Sequence, residues 1–171
     1  PVALEKAFAL YGKPRAVVVV HLYGNPAKLD EICAICDKYG VPLIEDAAEA
    51  LTATYKGQKC GTFGKFSILS FNGNKIITTS GGGMLICKDE ADAKHALKLA
   101  TQAREPFPWY QHEEIGYNYR LSNISAGIGR GQMKVLTKRN EKKRAIFDRY
   151  AENLKNLPIT KQPENADGTS S

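Results

Sequence analysis

Two short, nearly continuous apolar runs, residues 15–22 and 41–46, stand on either side of a stretch with helical spacing. Apolar runs rich in β-branched residues, without polar alternation, are typical of parallel strands that are covered on both faces. The intervening helix is predicted to begin at Asn25, with Pro26 at its first position, and to end at Gly40. The order strand, helix, strand predicts a βαβ unit, whose crossover we expect to be right-handed.

Further elements are predicted before and after this unit. Helical spacing is found over residues 2–11, 89–103, 122–135 and 138–157, strand patterns over 65–71 and 84–87 with a brief extension at 76–79, a loop or short hairpin over 51–63, and a long loop over 104–116. In the second of these helices, Ala93 and Leu97 are expected to face the interior. In the third, Gly127, Gly129 and Gly131 indicate close packing of another backbone. Strands that alternate with helices predict a three-layer α/β/α sandwich around a mainly parallel sheet.

Length and composition are those of a globular protein. The chain has 171 residues, of which 43% are hydrophobic and 25% charged, and this is enough for one domain with its own core. No apolar run approaches the roughly 20 residues that a membrane helix needs, so no membrane contact is predicted. Because the chain opens in mid-sequence without Met, we interpret it as a piece of a longer protein. The lack of a visible signal peptide therefore carries little weight.

The formal net charge of +6 would suit a nucleic-acid partner. Much of the excess lies within residues 134–155, where basic residues are mixed with Glu141, Asp148 and Glu152. Charges of both signs interleaved on a helical pattern usually mark a solvated face. No basic run is interleaved with aromatic residues as a base-stacking surface would require. We therefore predict no nucleic-acid partner.

Cys33 and Cys36 have the spacing of a redox or zinc pair. They lie inside an amphipathic helix, whereas a redox pair is expected at a helix N-terminus, where the dipole lowers the thiol pKa. No second pair and no nearby histidine cluster completes a metal site. We interpret both as small buried apolar residues in a reducing compartment, and we predict no metal.

The stretch over residues 70–83 has the character of a reactive site. A predicted strand leads into a turn rich in Gly and Asn, and Lys75 follows that turn. A lysine held in such a setting can lose its proton and attack a carbonyl group as a free amine. Asp46 stands where another predicted strand ends, and a carboxylate there can hold the pyridinium nitrogen of an aldehyde cofactor. Because ligands bind beyond the carboxyl ends of parallel strands, we expect the topology to bring Asp46 and Lys75 together.

Five sequence blocks, in order and at the appropriate spacing, resemble those of a known family. The chain is similar to the pyridoxal-phosphate-dependent sugar aminotransferases of the DegT/DnrJ/EryC1/StrS type. The blocks are His21-Leu-Tyr-Gly24, Glu45-Asp-Ala-Ala48, Ser70-Phe71 with Lys75, Thr78-Thr79 with Gly82-Gly83, and Gly116-Tyr-Asn-Tyr-Arg120. The resemblance implies a fold-type I transferase that converts a keto group on a nucleotide-linked sugar to an amine, with glutamate as the usual amino donor.

The resemblance also implies a role for five residues. Lys75 forms a Schiff base with pyridoxal phosphate, Asp46 pairs with the ring nitrogen, and Ser70 binds the cofactor phosphate. Glu49 stands where family members often carry Gln or His against the phenolic oxygen of the ring, so Glu is a departure there. Asn118 matches an asparagine that binds the phosphate of the partner subunit's cofactor, which implies a homodimer with a shared active site. Family members that dehydrate sugars have His in place of the lysine, so the lysine favours transamination.

Family members are more than twice as long as this chain. The resemblance therefore implies that residues 1–136 are part of the cofactor-binding major domain and that 137–161 form a helix leading to a C-terminal domain. Residues 162–171 are polar and are predicted to form a disordered tail. The phosphate loop and the ring-stacking aromatic of the family's N-terminal half have no candidate here. The expected setting is the cytoplasm, in the synthesis of an amino sugar for a surface polysaccharide or glycan.

Two alternatives stay open from the sequence. One is a pyridoxal-phosphate enzyme of another reaction type on the same fold. The other is a nonenzymatic α/β module that binds a nucleotide phosphate at the glycine turn of residues 81–83. Such a module would need neither a lysine five residues after Ser70 nor an aspartate at a neighbouring strand end.

Overall fold

The computed structural model describes residues 1–162, and its centre is a four-stranded sheet in the order β1-β2-β5-β6. The strands are β1 (Val17–Val20), β2 (Leu43–Asp46), β5 (Phe66–Ser70) and β6 (Gly83–Cys87), and the helices are α1 (Val2–Tyr11), α2 (Leu29–Tyr39), α3 (Glu90–Ala100), α4 (Asn123–Met133) and α5 (Leu136–Asn153). Strands β1, β2 and β5 run parallel, and β6 is antiparallel to β5. The predicted α/β fold with a mainly parallel sheet is confirmed. Residues 163–171 of the predicted tail lie outside the described part.

Helix α2 packs on β1 and β2 to form the main core. Leu29 and Cys36 of α2 are buried against Val19 and Leu43 of the two strands. On the opposite face of β1, Val18 is 61% exposed, so within residues 1–162 this strand is covered on one face, not on both as predicted. Helix α2 ends at Gly40, whose φ of 59° is left-handed, as the pattern predicts.

Of the loop or short hairpin predicted after β2, the structure shows the hairpin. Strands β3 (Thr54–Tyr55) and β4 (Gln58–Lys59) pair antiparallel across a two-residue turn. Both turn residues, Lys56 and Gly57, have a positive φ, which is the conformation that matches the twist of a tight hairpin.

None of the helices within residues 1–162 combines the length and apolarity needed to cross a bilayer.

The predicted start of α2 at Asn25 and Pro26 is wrong by about one turn, because the helix begins at Leu29. The chain leaves β1 through a short 3-10 turn, and the Asn25 amide donates back to Leu22 in that turn. The Ala27 amide donates to the ring nitrogen Nδ1 of His21 across 3.3 Å. The segment before the helix is therefore held by the end of β1, which sequence periodicity does not reveal.

Helix α3 also departs from the prediction. It ends at Ala100 rather than Ala103, and Ala93 and Leu97 are exposed, Leu97 by 52%. Among the sheet strands, α3 makes its main packing contact with β6, at the edge of the sheet. The backbone leaves the helix because Gln102 and Ala103 take positive φ angles of 69° and 51°. Ala103 itself is fully buried.

The predicted strand extension at residues 76–79 is not a strand. Instead, the side chain of Gln132 on α4 bonds both the amide and the carbonyl of Thr78, in the place of a neighbouring strand. Gly129 of α4 packs here on the methyl group of Thr79, where an added Cβ would lie 2.9 Å away. At Gly127 and Gly131 an added Cβ meets nothing within 4 Å in the described chain, so the close backbone packing predicted there is not found.

Candidate active site

The carboxyl ends of β2 and β5 form one edge of the sheet. Asp46 is the last residue of β2 and pairs with Ile68 of β5, and Ser70 ends β5 two residues later. A turn follows in which the Lys75 amide donates to the Asn72 carbonyl across 3.1 Å. The edge therefore carries Asp46, Ser70 and Lys75, as parallel pairing predicts.

Lys75 contacts Glu49 rather than Asp46. Its Nζ lies 3.2 Å from Glu49 Oε1, and the lysine side chain is 16% exposed. The other oxygen of Glu49 accepts the backbone amide of Tyr23 across 2.7 Å. The Tyr23 amide, and then the Lys75 ammonium, lower the pKa of Glu49 below its ordinary value. Asp46 and Lys75 thus share the carboxyl edge of the sheet, as expected, and Glu49 is the carboxylate that contacts the amine.

The first of the five sequence blocks, His21 to Gly24, forms the surface beside Glu49. Tyr23 has a left-handed backbone with a φ of 54°, and Gly24 follows with a φ of 79°. A Cβ on Gly24 would lie 3.0 Å from the carbonyl oxygen of Glu49. Glycine at this position allows the turn after β1 to close against the Glu49 backbone.

A cavity of about 320 Å³ opens around Lys75. It is lined by Tyr23, Gly24, Ala48, Glu49, Leu51, Thr52, Ser70, Asn74, Lys75, Ile76, Asn140, Lys143, Arg144, Phe147 and Gln162. Three of the five predicted site residues, Glu49, Ser70 and Lys75, therefore share one cavity. Asp46 and Asn118 do not line it.

The donors at this edge fit a phosphorylated pyridine aldehyde. Ser70 Oγ accepts the Asn72 amide across 3.3 Å, so the hydroxyl proton remains available to a phosphate oxygen. Asp46 Oδ1 accepts the Ala48 amide across 3.1 Å, and within residues 1–162 its second oxygen makes no hydrogen bond. That oxygen can accept a pyridinium proton. An amine such as that of Lys75 can react with an aldehyde.

Asn118 lies in a different part of the fold. It is exposed and forms an antiparallel bridge with Thr101, where the chain returns past the end of α3. The neighbouring amides of Tyr117 and Tyr119 donate to Leu99 and Ala100. The position leaves the Asn118 side chain outside the Lys75 cavity of its own chain, and its role toward a partner stays a prediction.

Glu45, for which the sequence predicts no role, is the most extensively hydrogen-bonded carboxylate of the described chain. Its side chain is fully buried and lies 3.1 Å from His21 Nε2. Its oxygens also accept the amides of Gly61, Phe63 and Gly64 at 2.6–2.7 Å, and the Ser67 hydroxyl at 3.2 Å. One feature of the sequence could have indicated this role. Glu45 stands at an inward position of an apolar strand, one residue before Asp46, and a buried carboxylate needs hydrogen-bond partners.

These bonds decide the charge of Glu45. Burial by itself raises the pKa of the carboxyl group, but the hydrogen bonds from His21 and from the Gly64, Gly61 and Phe63 amides outweigh it, so the pKa lies below its ordinary value. Since His21 Nδ1 accepts from the Ala27 amide, the proton on Nε2 points at Glu45. The ionised carboxylate therefore fastens the loop before β5 to the strand that carries Asp46.

The cysteine pair is structural in the described chain. Cys36 is buried, Cys33 is half-buried, and both thiols are free. Burial is the main cause that raises the pKa of each thiol, which makes each a poor nucleophile. Within residues 1–162, no group of three His, Cys, Asp or Glu side chains could hold a metal ion.

The chain is similar in sequence to two named bacterial proteins. EpsN of Bacillus subtilis (strain 168), classed by name as a pyridoxal phosphate-dependent aminotransferase, is 57% identical over 175 residues, covering 99% of this chain and 45% of EpsN. GDP-perosamine synthase of Escherichia coli O157:H7 is 40% identical over 145 residues, covering 85% of this chain and 40% of the synthase. The chain thus spans less than half the length of these relatives.

The chain is also similar in structure to a solved aminotransferase. The aminotransferase TlmJ from Streptoalloteichus hindustanus superposes with a TM-score of 0.89 at 32% identity, covering 98% of this chain and 46% of TlmJ. The sequence model of the DegT/DnrJ/EryC1/StrS aminotransferase family matches residues 1–171. The chain therefore belongs to the DegT/DnrJ/EryC1/StrS aminotransferase family.

Proposed function

We propose that the full-length protein, of which we expect this chain to be a part, is a pyridoxal-phosphate-dependent aminotransferase. It transfers the amino group of glutamate to the keto group of a nucleotide-linked sugar, giving 2-oxoglutarate and an amino sugar. The observation that carries the proposal is Lys75, whose amine lines the same cavity as Ser70 at the carboxyl edge of the sheet. Family membership and the names of EpsN and GDP-perosamine synthase support it.

Three residues would hold the cofactor. Ser70 would donate its hydroxyl proton to the phosphate, Asp46 would accept the proton of the ring nitrogen, and Lys75 would hold the aldehyde carbon as a Schiff base. When bound, pyridoxal phosphate supplies an aldehyde that takes up amino groups and a pyridinium ring that withdraws electrons. A carboxyl group beside the ring nitrogen would favour the protonated ring, because opposite charges attract.

Lys75 has a second role once its amine is free. It is the group in the cavity that can take a proton from the donor carbon and later return one to the sugar carbon. Glu49 holds the amine in position at 3.2 Å and is itself fixed by the Tyr23 amide. We also propose that Glu49 faces the phenolic oxygen of the bound ring. The carboxylate and the phenolate would repel each other there unless one of them is protonated, and Lys75 lies close enough to supply a proton.

The wider setting rests on the resemblance. We propose a cytoplasmic homodimer in which Asn118 of one subunit reaches the cofactor phosphate of the other, acting in the synthesis of a surface polysaccharide or glycan. The four free thiols agree with a reducing compartment. The two alternatives are less well supported. A phosphate loop at residues 81–83 is disfavoured because Gly82 and Gly83 already pack closely on Leu121 and Leu69.

The test is reductive trapping in the full-length protein. Borohydride should fix the cofactor to Lys75, since reduction converts the imine to a stable amine. Lys75→Arg is the matched control: it keeps the positive charge but cannot be trapped. Peptide mapping that finds the label on Lys56, Lys59 or Lys65 would reject the assignment. Absence of the absorption band of the Schiff base after cofactor addition would favour the nonenzymatic module, and screening of nucleotide keto-sugars with glutamate would identify the acceptor.

A further inference from the structure

Lys75 lies in a loop over residues 72–78 that is closed by hydrogen bonds at its base. There the Thr79 amide donates to the Phe71 carbonyl across 2.9 Å, and the Thr78 hydroxyl donates to the same oxygen across 3.1 Å. Inside the loop, the Lys75 amide makes a further backbone bond of 3.1 Å. The position of the lysine backbone is therefore set by the base of this loop.

Two side chains from the helices bind the outer side of that base. Gln132 Oε1 of α4 accepts the Thr78 amide across 3.2 Å, and Gln132 Nε2 donates to the Thr78 carbonyl across 2.5 Å. Arg139 Nη1 of α5 donates to Gln132 Oε1 across 2.8 Å and to the Ile76 carbonyl across 3.1 Å. Both side chains therefore hold backbone groups that lie within three residues of Lys75.

The bonding pattern requires a primary amide at position 132. The amide oxygen meets two donors, the Thr78 amide and the Arg139 guanidinium, while the amide nitrogen meets a carbonyl oxygen. Glutamine supplies an acceptor and a donor in one side chain, as a neighbouring strand would. A methionine of similar length would make none of these bonds, so Gln132→Met releases the outer side of the base.

The contact between Lys75 and Glu49 depends on where that base lies. The Lys75 amine is 3.2 Å from Glu49, its side chain is 16% exposed, and Glu49 is fixed on its other side by the Tyr23 amide. A shift of the loop would thus move the amine while its partner stays in place. A misplacement of about 1 Å can slow an enzymatic reaction roughly a hundredfold, because reacting atoms must lie close and aligned.

We propose that Gln132, together with Arg139, is a positioning residue for Lys75. The two side chains hold the base of the loop over residues 72–78, and the base keeps the amine beside Glu49. Neither side chain lines the Lys75 cavity that residues 1–162 form, so both act through the lysine and not on the substrate. The consequence for transamination rests on the proposed function, whereas the position of the amine does not.

The first measurement is the reactivity of the Lys75 amine in the full-length protein freed of cofactor. Competitive acetylation with acetic anhydride, read by peptide mapping, compares Lys75 with the exposed Lys59. The variants are Gln132→Met, Arg139→Met and the conservative Arg139→Lys. Arg130→Met is the matched control, because it places the same side chain at an exposed position of α4.

We expect Gln132→Met and Arg139→Met to raise the acetylation rate of Lys75 relative to Lys59 by about fivefold or more, because an amine released from Glu49 is more accessible. Arg139→Lys keeps a donor for the carbonyl oxygens and should raise it less than Arg139→Met. Arg130→Met should leave it unchanged.

The second measurement uses the cofactor-loaded protein well below its melting temperature. The rate of the half-reaction with glutamate, counted per Lys75 that borohydride traps, should fall about tenfold or more in Gln132→Met. The Kd for glutamate should stay within about threefold of wild type, because Gln132 does not contact the substrate. A purely structural role would lower the melting temperature but leave the rate per trapped site unchanged.

Two results would overturn the inference. In one, the acetylation of Lys75 in Gln132→Met stays at the wild-type rate or changes equally in Arg130→Met. In the other, acetylation rises but the half-reaction rate per trapped site does not fall. If borohydride traps no cofactor on Lys75 of the wild type, the proposed function fails, and acetylation by itself decides whether Gln132 positions the amine.

Discussion

Glu45 and His21 form a fully buried pair, with 3.1 Å between Oε2 and Nε2, at the carboxyl ends of two neighbouring parallel strands. The same carboxylate accepts three backbone amides from the loop over residues 61–64. Because Asp46 follows Glu45 directly, the strand end that carries the proposed ring-nitrogen partner is held rigidly. A buried polar network of this kind is stabilising only while every member is paired.

The first prediction concerns Glu45→Gln. The amide nitrogen of glutamine would face backbone amides that now donate to the carboxylate. We therefore expect the free energy of unfolding of the full-length protein to fall by on the order of 3 kcal/mol. The melting temperature should fall by several degrees, measured by circular dichroism. Glu31→Gln is the control, since Glu31 is exposed and its side chain lies 3.6 Å from Lys28 in a surface pair. Equal melting temperatures for the two variants would contradict the role of Glu45.

The second prediction is the pH dependence of that difference. The folded pKa of Glu45 is lowered from an ordinary value of 4.5, so the folded state favours the ionised form. The contribution of Glu45 is therefore fully present above about pH 4.5 and is lost as pH falls through the lower folded value. The melting-temperature gap between wild type and Glu45→Gln should be constant from about pH 8 to 6 and narrow below about pH 4.5. A gap that widens in acid would show that the sign is wrong.

The third prediction tests Asp46. Asp46→Asn should leave the melting temperature near wild type but slow each half-reaction by orders of magnitude, because an amide cannot hold the proton of the pyridine nitrogen. Single-turnover absorbance changes with glutamate measure this directly. Asp37→Asn, at an exposed position of α2, should leave the rate unchanged. A near wild-type rate in Asp46→Asn would mean that another residue meets the ring nitrogen.

The fourth prediction is that Asn118 acts across a subunit boundary. Full-length Lys75→Ala and Asn118→Ala are mixed so that subunits exchange. In a C₂ dimer the site with intact Lys75 then receives intact Asn118 from the other chain, and its cofactor affinity should recover. A hydrogen bond from the Asn118 side-chain amide to a phosphate oxygen is worth about 1.5–3 kcal/mol. The cofactor Kd should therefore improve by roughly tenfold or more on recovery.

The readout for Asn118 is a cofactor titration near the dissociation constant of Asn118→Ala. Subunit exchange is confirmed separately with differently tagged chains. If Asn118 acts within its own subunit, the site with intact Lys75 still meets alanine and its Kd does not change. No recovery after confirmed exchange therefore rejects the shared site.

The sequence by itself determined the βαβ unit, the end of α2 at Gly40 and the edge of the sheet where Ser70 and Lys75 lie. These features are local: apolar runs, helical spacing, turn residues and caps act over a few neighbouring positions. Parallel pairing then fixes which strand ends share an edge, because connections between such strands have few allowed arrangements. The family resemblance implied the roles of Lys75, Ser70 and Asp46. Each of these residues stands at a strand end or in the turn that follows it.

Only the tertiary structure decided which carboxylate meets which partner. Glu45 and Asp46 are adjacent in sequence, yet strand alternation turns one into the core, against His21, and leaves the other at the edge. Glu49 reaches Lys75 because the turn at Gly24 closes against it, and α5 covers the cavity through contacts with Thr52 and Ile76. Such pairings join residues more than twenty positions apart, so their energies depend on distances that no local pattern encodes.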